Sequence, residues 1–487
     1  MLHTKDIKNL SELNSAFLDK HKRQEFFLSF IDVLKLGKLH SFFSSAKAKG
    51  ISPLLLIHIL IVFPLVDKKN PYSFTSDSFW ADVCDYGKDA YYRLKNNTRI
   101  NWRNFLFGVT KQMLKTLSEG DSSQESTTTP EVRAFIFDDT IIGKTSHKTE
   151  GVSRVWNHVI HKHILGYVLL LMGYYNGSVF VPLDFSFHRE KGKKKTKLYG
   201  LKSKHYREQF RKKRDNNTAG YKRKKELDMS KIKAMVKMLK EAVKKGIDAQ
   251  YVLTDSWFTC KETLFTAIAN NLKYIGMYSK SKTKFTYRSK QYTYSQIRAL
   301  NRKKVKRNRR FGLYYIRTVA SLEGNPVVLY FTRKGKRGKW KTLISTDTSA
   351  NFNNTLEVYQ IRWSVEVFFK ECKQSLGLGK CQSKNFDAQI ADTTITLIQY
   401  QFLAIKKQIN SYESLGAMIK DTKAECLEMK LHQRLIGLLL STLEYLQEML
   451  QDIDNDTVIS RLLNSEKFFG QIMALLELER NQHKPVA

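Results

Sequence analysis

Between residues 132 and 271 the chain changes its apolar period twice, and that order admits few folds. Residues 132–139 form a compact apolar run that ends in two acids, and residues 163–175 form a second strand-like run. Asn176-Gly177 then makes a hairpin turn into residues 179–188, since this dipeptide accepts the positive φ of a two-residue turn. After a long basic stretch, Ile232, Met235, Val236, Leu239, Ala242 and Val243 recur at helical spacing, and Gly246 suits the helix end. Residues 251–255 read as a further strand running out into Asp255, followed by a helix over 261–271.

Three antiparallel strands, a helix and another strand is the order of an RNase H-like α/β domain, although fold order alone says little about function. Residues 1–117 read as helical, with 88–94 forming a short helix that stops at Asn96-Asn97. Basic and aromatic groups share its surface, as a helix-turn-helix reader of DNA requires, and as an ordinary solvated helix also allows. Residues 118–130 are rich in Ser and Thr without apolar periodicity, which suggests a linker. Additional strands are expected at 311–319, 326–331 and 340–345, and the chain turns helical again from residue 385. The expected fold is therefore α/β. An RNase H-like core over 131–380 carries a basic insertion at 189–225 and a β-rich insertion at 275–345, between all-helical regions at 1–117 and 381–487.

The charge balance narrows the partner. Lys and Arg number 83 against 46 Asp and Glu, a formal net charge of +37, and a polyanion such as nucleic acid neutralises such self-repulsion. An apolar fraction of 42 % argues against disorder throughout. The apolar run over 51–66 is shorter than the ~20 residues of a spanning helix. It also contains His58 and Pro64, so a buried helix is expected there. With neither a lipidation nor a signal-peptide pattern, no membrane role is expected, and the scattered cysteines lead to a reducing cytoplasm as the expected compartment. The five cysteines are scattered without a C-x-x-C pair, which speaks against a zinc ribbon or a disulfide framework.

Tyr359, Arg362, Glu366 and Lys373 have the spacing of one helical stripe. At about 100° per residue they fall at about 0°, 300°, 340° and 320°. A carboxylate flanked by cations suits phosphoryl transfer, with the acid holding a metal and the cations and phenol holding phosphate oxygens. An amphipathic helix with internal ion pairs has the same spacing.

The pattern Y-x-x-R-x-x-x-E-x-x-x-x-x-x-K, closing a domain with two earlier strand-end aspartates, resembles the bacterial insertion-sequence DDE transposases of the YREK signature. Phe137-Asp138-Asp139-Thr140 is similar to the family's first catalytic segment and Leu253-Thr254-Asp255 to its second. The likeness of layout covers residues 130–380. It implies that Asp139, Asp255 and Glu366 hold two Mg²⁺ ions, with Mn²⁺ as substitute. Asp138 and Asp139 point to opposite faces of a regular strand. The acid next to the threonine, Asp139, matches the family, which leaves Asp138 as a supporting or solvent-facing acid. The resemblance further implies that Tyr359, Arg362 and Lys373 bind a DNA phosphate near the transposon end, and that excision runs through hairpin ends. Trp340, in the β-rich insertion, becomes a candidate for stacking on a flipped base, with core packing the alternative.

The partners so implied are duplex DNA, as terminal inverted repeats and target, and a second copy of the chain, since two ends are processed together; the cytoplasm so implied is a bacterial one. The helical 1–117 region becomes a candidate for DNA-end binding and 381–487 for dimerisation. Residues 189–225 hold 17 Lys or Arg against three acids, and this tract is expected to be mobile without DNA. Residues 301–310 add seven basic groups and 333–341 six, and all three tracts suit phosphate contacts. His158, His161 and His163 could suggest zinc, but no cysteine lies nearby, and phosphate contact or packing fits better. An endonuclease without strand transfer, and a DNA-binding architectural protein without turnover, are the competing functions. A polybasic RNA-binding protein is weaker, since no RRM or KH signature occurs.

Overall fold

The computed structural model describes residues 36–43, 51–64, 68, 70–76, 87–121, 131–194, 196–409, 416–421 and 423–424. The chain divides into two units. The first comprises Met1–Leu36, Leu55–Tyr91 and Asn410–Ala487, the second Gly37–Leu54 and Tyr92–Ile409. Among the described residues no helix is long and apolar enough to cross a membrane.

The apolar run from residue 51 forms helix α1 (Pro53–Val62), whose residues from Leu55 on belong to the first unit and in which Ile57, Ile59 and Leu60 are buried. A short α2 (Pro71–Thr75) starts at Asn70, whose side chain accepts the Ser73 N–H at 2.9 Å. Phe63 packs on Phe74 at 5.1 Å and on Tyr91 at 6.3 Å. Helix α3 (Lys88–Lys95) occupies the position expected for a short helix, and the unit boundary falls within it.

The second unit begins its ordered core with α4 (Trp102–Asp121), which runs into the segment expected as a linker; residues 122–130 lie outside the described residues. A β-carbon on Gly108 would meet Leu39 and Phe42 side chains at 3.0 Å, so glycine lets the 3₁₀ turn Leu36–Phe43 lie against α4. The main sheet follows, with twelve strands among the described residues. Strand β1 (Ala134–Gly143) is its hub. It pairs antiparallel with β3 (Lys162–Tyr175), which in turn pairs with β2 (Ser153–Asn157) and β4 (Phe180–His188). Asn176-Gly177 turns β3 into β4 as expected, with Gly177 at φ 114° and the Asn176 side chain accepting the Val179 N–H at 2.8 Å. The five-residue β2 was not foreseen, being too short for its alternation to stand out.

Beyond β4 lie α5 (Ser203–Arg207), α6 (Ala219–Glu226) and α7 (Lys231–Lys244). Helix α7 buries Met235, Met238 and Leu239 against Phe135 and Phe137 of β1, and Gly246 at φ 74° follows its end. Strand β5 (Tyr251–Thr254) then lies parallel to β1, and after α8 (Lys261–Ala269) strand β6 (Lys273–Met277) lies parallel to β5.

The expected β-rich insertion comprises β7 (Lys284–Tyr287), β8 (Lys290–Thr293), α9 (Tyr294–Leu300), β9 (Lys306–Asn308), β10 (Leu313–Leu322), β11 (Asn325–Lys334) and β12 (Lys341–Ser345). It does not stand apart from the α/β pattern. Strand β12 pairs with β6 and so continues the same sheet.

The chain ends its described core with α10 (Phe352–Gln360), α11 (Trp363–Ser375) and α12 (Phe386–Ile409). Phe368 of α11 packs on Phe180 at 5.5 Å and on Tyr400 of α12 at 4.7 Å, which fixes α11 over the sheet. The expected helical region beyond residue 424 lies outside the described residues.

Candidate active site

The carboxylates enter from three elements, and strand register decides which of them face each other. Phe137 of β1 pairs with Thr254 of β5, so the next residues, Asp138 and Asp255, leave adjacent parallel strands on the same face. Helix α11 covers that face. Arg362 donates to Asp138 at 3.2 Å and to Glu366 at 2.5 Å, and Lys373 donates to the Thr140 hydroxyl at 2.6 Å. Even-numbered residues of β1 therefore face Glu366.

Asp139 goes the other way. It shares the face of Phe135 and Phe137, and its carboxylate is ion-paired with Lys231 at the start of α7. The structure thus brings Asp138 and Glu366 onto Arg362, sets Asp255 beside Asp138, and leaves Asp139 on the opposite face, contrary to the choice between the two acids made from the sequence. The reason is strand parity, fixed by the β1–β5 register.

Burial pushes the Asp138 carboxyl up, and the charge of Asp255 adds to that. Against the lowering effects of the Asp139 N–H, which donates to it at 2.8 Å, and of Arg362, it stands at about 7. Asp255 is held by its own turn, accepting the Trp257 and Phe258 N–H groups at 2.9 and 3.1 Å. The Lys231 ammonium that pairs with Asp139 lies 3.7 Å over the Trp257 ring. One connected set of contacts therefore runs from Asp139 through Lys231 and Trp257 to the backbone that orients Asp255.

The signature residues do not lie on one unbroken helix. Between α10 and α11 the Arg362 N–H donates to the Tyr359 carbonyl at 3.1 Å, and the Val365 N–H to the Arg362 carbonyl at 3.3 Å. These i to i−3 bonds tighten the turn and separate Tyr359 from Glu366 and Lys373. Tyr359 still reaches the site, donating to the Thr254 carbonyl at 3.3 Å. Its phenol is pushed up to about 12, by burial first; the Asp255 charge also raises it and Arg362 opposes both. Burial lowers the Lys373 ammonium from its ordinary value.

Trp340 is half-buried against the sheet core, with the Arg333 guanidinium 4.5 Å from its ring. The open indoles are elsewhere. Trp363, directly after Arg362, is 62 % exposed, and Trp257, two residues after Asp255, is 46 % exposed. Sequence reasoning passed over both, although each stands beside a residue it had singled out.

The basic tract at 189–225 departs from the expected mobile loop. Arg214 is 3 % exposed, donating to Glu150 at 2.6 and 2.8 Å and to Asp387 at 3.1 Å. Arg223 is buried beside Glu226 at 3.0 Å. Three of the four buried acids around these guanidiniums, Glu150, Asp184 and Asp387, lie outside the tract and Glu226 just past it, so local charge counting missed the pairing. Lys191, Lys193, Lys194 and Lys197 remain exposed. His158 and His161 sit on the β2–β3 turn and His163 on β3. Among the described residues no group of three or more His, Cys, Asp or Glu stands ready to hold a metal ion.

Two family models match the chain. A DDE superfamily endonuclease model covers residues 84–307, and a transposase DDE domain model covers residues 222–402. Both matches support a DDE transposase or endonuclease family. The first spans Asp138, Asp139 and Asp255, the second Asp255 and Glu366, so both include Asp255. The mixed sheet with its covering helices is consistent with a DDE nuclease fold. No curated protein matches the chain.

Proposed function

We propose that this chain is a DNA transposase whose RNase H-like core cuts and joins phosphodiester bonds with Asp138, Asp255 and Glu366. The observation that carries this reading is the in-register placement of Asp138 and Asp255 on one face, with Glu366 tied to Asp138 through Arg362.

DDE-type nucleases generally use divalent metals, and Asp138 and Asp255, side by side on one face, supply hard oxygen donors of the kind such an ion takes. Two carboxylates close enough for one charge to raise the other form a hard-oxygen site that a divalent cation would relieve. Asp138, Asp255 and Glu366 would hold Mg²⁺, or Mn²⁺ in its place, and two such ions would activate the attacking oxygen and stabilise the leaving one. Arg362, now shared by Asp138 and Glu366, is placed to pass to a non-bridging phosphate oxygen once those carboxylates are neutralised otherwise. Tyr359 packs beside the Arg362 guanidinium at 5.9 Å and braces it. Lys373, which donates to the Thr140 hydroxyl, supplies a second cation along the same helix. Duplex DNA with terminal repeats is the substrate in this reading, a homodimer the working assembly, and hairpinned ends the intermediate.

The test is cleavage of labelled DNA carrying the element's own ends in Mg²⁺, comparing the native chain with Glu366→Gln. Cleavage by the native chain alone, with DNA binding retained in the variant, is expected, and hairpinned ends place the chain in the YREK group. Equal cleavage by both proteins overturns the assignment. Strand transfer into added target DNA separates a transposase from an endonuclease, and binding without cleavage by either protein would favour an architectural role.

A further inference from the structure

The turn joining β2 to β3 presents two apolar side chains to solvent on a rigid base. Val159 is 87 % exposed and Ile160 50 % exposed at its tip. The Asn157 side chain accepts the N–H groups of both, at 2.9 and 3.4 Å, and His161 closes the turn at φ 51°. At the base, half-buried Trp156 is edged by His163 at 4.9 Å, His158 at 6.3 Å and His161 at 6.4 Å. The root is tight as well: a β-carbon on Gly166 would collide with the Ile142 carbonyl oxygen, so only glycine lets β3 lie so close to β1. The tip is therefore held in one shape and is not a loose loop.

Its electrostatics select the partner. No acid occurs between Glu150 and Asp184. Lys162 is exposed at the turn and Arg154 further down β2, and Glu190, which accepts the Trp156 N–H at 3.1 Å, is the acid at its base. Two apolar side chains on a hairpin that carries cations and no acid match a polyanion with an apolar interior. Duplex DNA has that construction, with phosphates outside and stacked bases inside, and small apolar wedges entering the minor groove are a known way to open a base step. A second copy of this chain would bring a like-charged surface, given the net charge of +37.

Position agrees with this. Asp138 pairs with Leu171, nine residues along β3 from Lys162 at the turn. At ~3.3 Å per residue the tip lies ~30 Å from the carboxylates, or ~9 base pairs along a duplex rising ~3.4 Å per pair. Lys373, held at Thr140, lies on the way.

We propose that Val159 and Ile160 form a wedge that enters the minor groove of the bound duplex about nine base pairs from the scissile phosphate and unstacks a base step there. This deepens the reading of the chain as a DNA-processing enzyme and rests on it.

The test uses the full chain, a chelator to suppress cleavage, and duplexes carrying 2-aminopurine singly at each position 6 to 12 pairs from the cut. The native protein is expected to raise fluorescence at one or two adjacent positions. Val159→Ser/Ile160→Ser should abolish that rise and weaken binding about tenfold, while leaving the salt dependence of binding unchanged. Lys162→Ala should instead keep the fluorescence rise and flatten the salt slope by about 0.9. A native protein that binds and cleaves DNA without a fluorescence rise anywhere, or a double variant that matches it, overturns the wedge and leaves the enzyme reading standing. Absence of any DNA binding or cleavage by the native chain overturns both. Sedimentation of the double variant checks the remaining occupant: loss of a native dimer would assign the tip to a second copy and refute the wedge.

Discussion

Lys231 holds Asp139 on the face of β1 opposite to the one where Asp138 meets Arg362. On the proposed function the two adjacent acids do unequal work. Asp138→Asn removes a carboxylate facing Asp255 and should lower DNA cleavage about a thousandfold or more, the equivalent of several kcal/mol of lost charge stabilisation. Asp139→Asn loosens only the Lys231–Trp257 support of the Asp255 turn, and a loss of about 10- to 100-fold is expected. Single-turnover cleavage rates of the two variants check this ordering, and the reverse order would sink it.

Arg362 contacts both Asp138 and Glu366 through separate guanidinium nitrogens. An ammonium cannot reproduce that planar fork. Arg362→Lys should therefore lose most cleavage while keeping the net charge, and DNA affinity measured at two salt concentrations should keep its slope. Unchanged cleavage would mean that charge alone suffices at this position.

Arg103 of α4 ties that helix to β4 and α6, donating to Asp184 at 2.8 Å and to Glu226 at 2.7 Å. Arg103→Met strands two buried carboxylates, and the expected cost is about 3–5 kcal/mol of stability. Denaturant unfolding of the native chain and the variant measures it. A change below 1 kcal/mol would show that Arg223 and Lys237 compensate.

Stability should also fall in acid through the same cluster. Burial alone would raise Glu226, but Arg223 and then Arg103 more than offset it and bring its carboxyl down to about 2. A depressed carboxylate contributes stability that is fully present above its unfolded value of about 4.3 and is lost as pH falls towards 2. Unfolding free energy followed from pH 6 to pH 2 should decline over that window, and the decline should be shallower in Glu226→Gln.

Hairpin, helix and strand order were legible from residue 132 to residue 271 because each element carries its own local signal. The Asn176-Gly177 turn accepts the backbone that a hairpin needs. The Met235, Met238, Leu239 face of α7 repeats at helical spacing against a one-sided core. Helices carrying Tyr359, Glu366 and Lys373 were legible for the same reason, although the tightened turn at Arg362 was not. It depends on i to i−3 bonding that no residue type at that point demands.

The choice between Asp138 and Asp139 was a different kind of question. Alternation tells the two faces of a strand apart only when one of them is solvated. In β1 residues 134–137 are all buried, so the strand shows no in-and-out pattern before its acids. The pairing of the basic tract was hidden in a similar way, since Arg214 meets Glu150 and Asp387, which lie 64 and 173 residues away. The sequence by itself determined which elements form, their order, and which acids and cations were candidates for chemistry. Only the tertiary structure decided which acid faces Glu366 and which cations are already neutralised, because register and long-range ion pairing are set by partners distant along the chain.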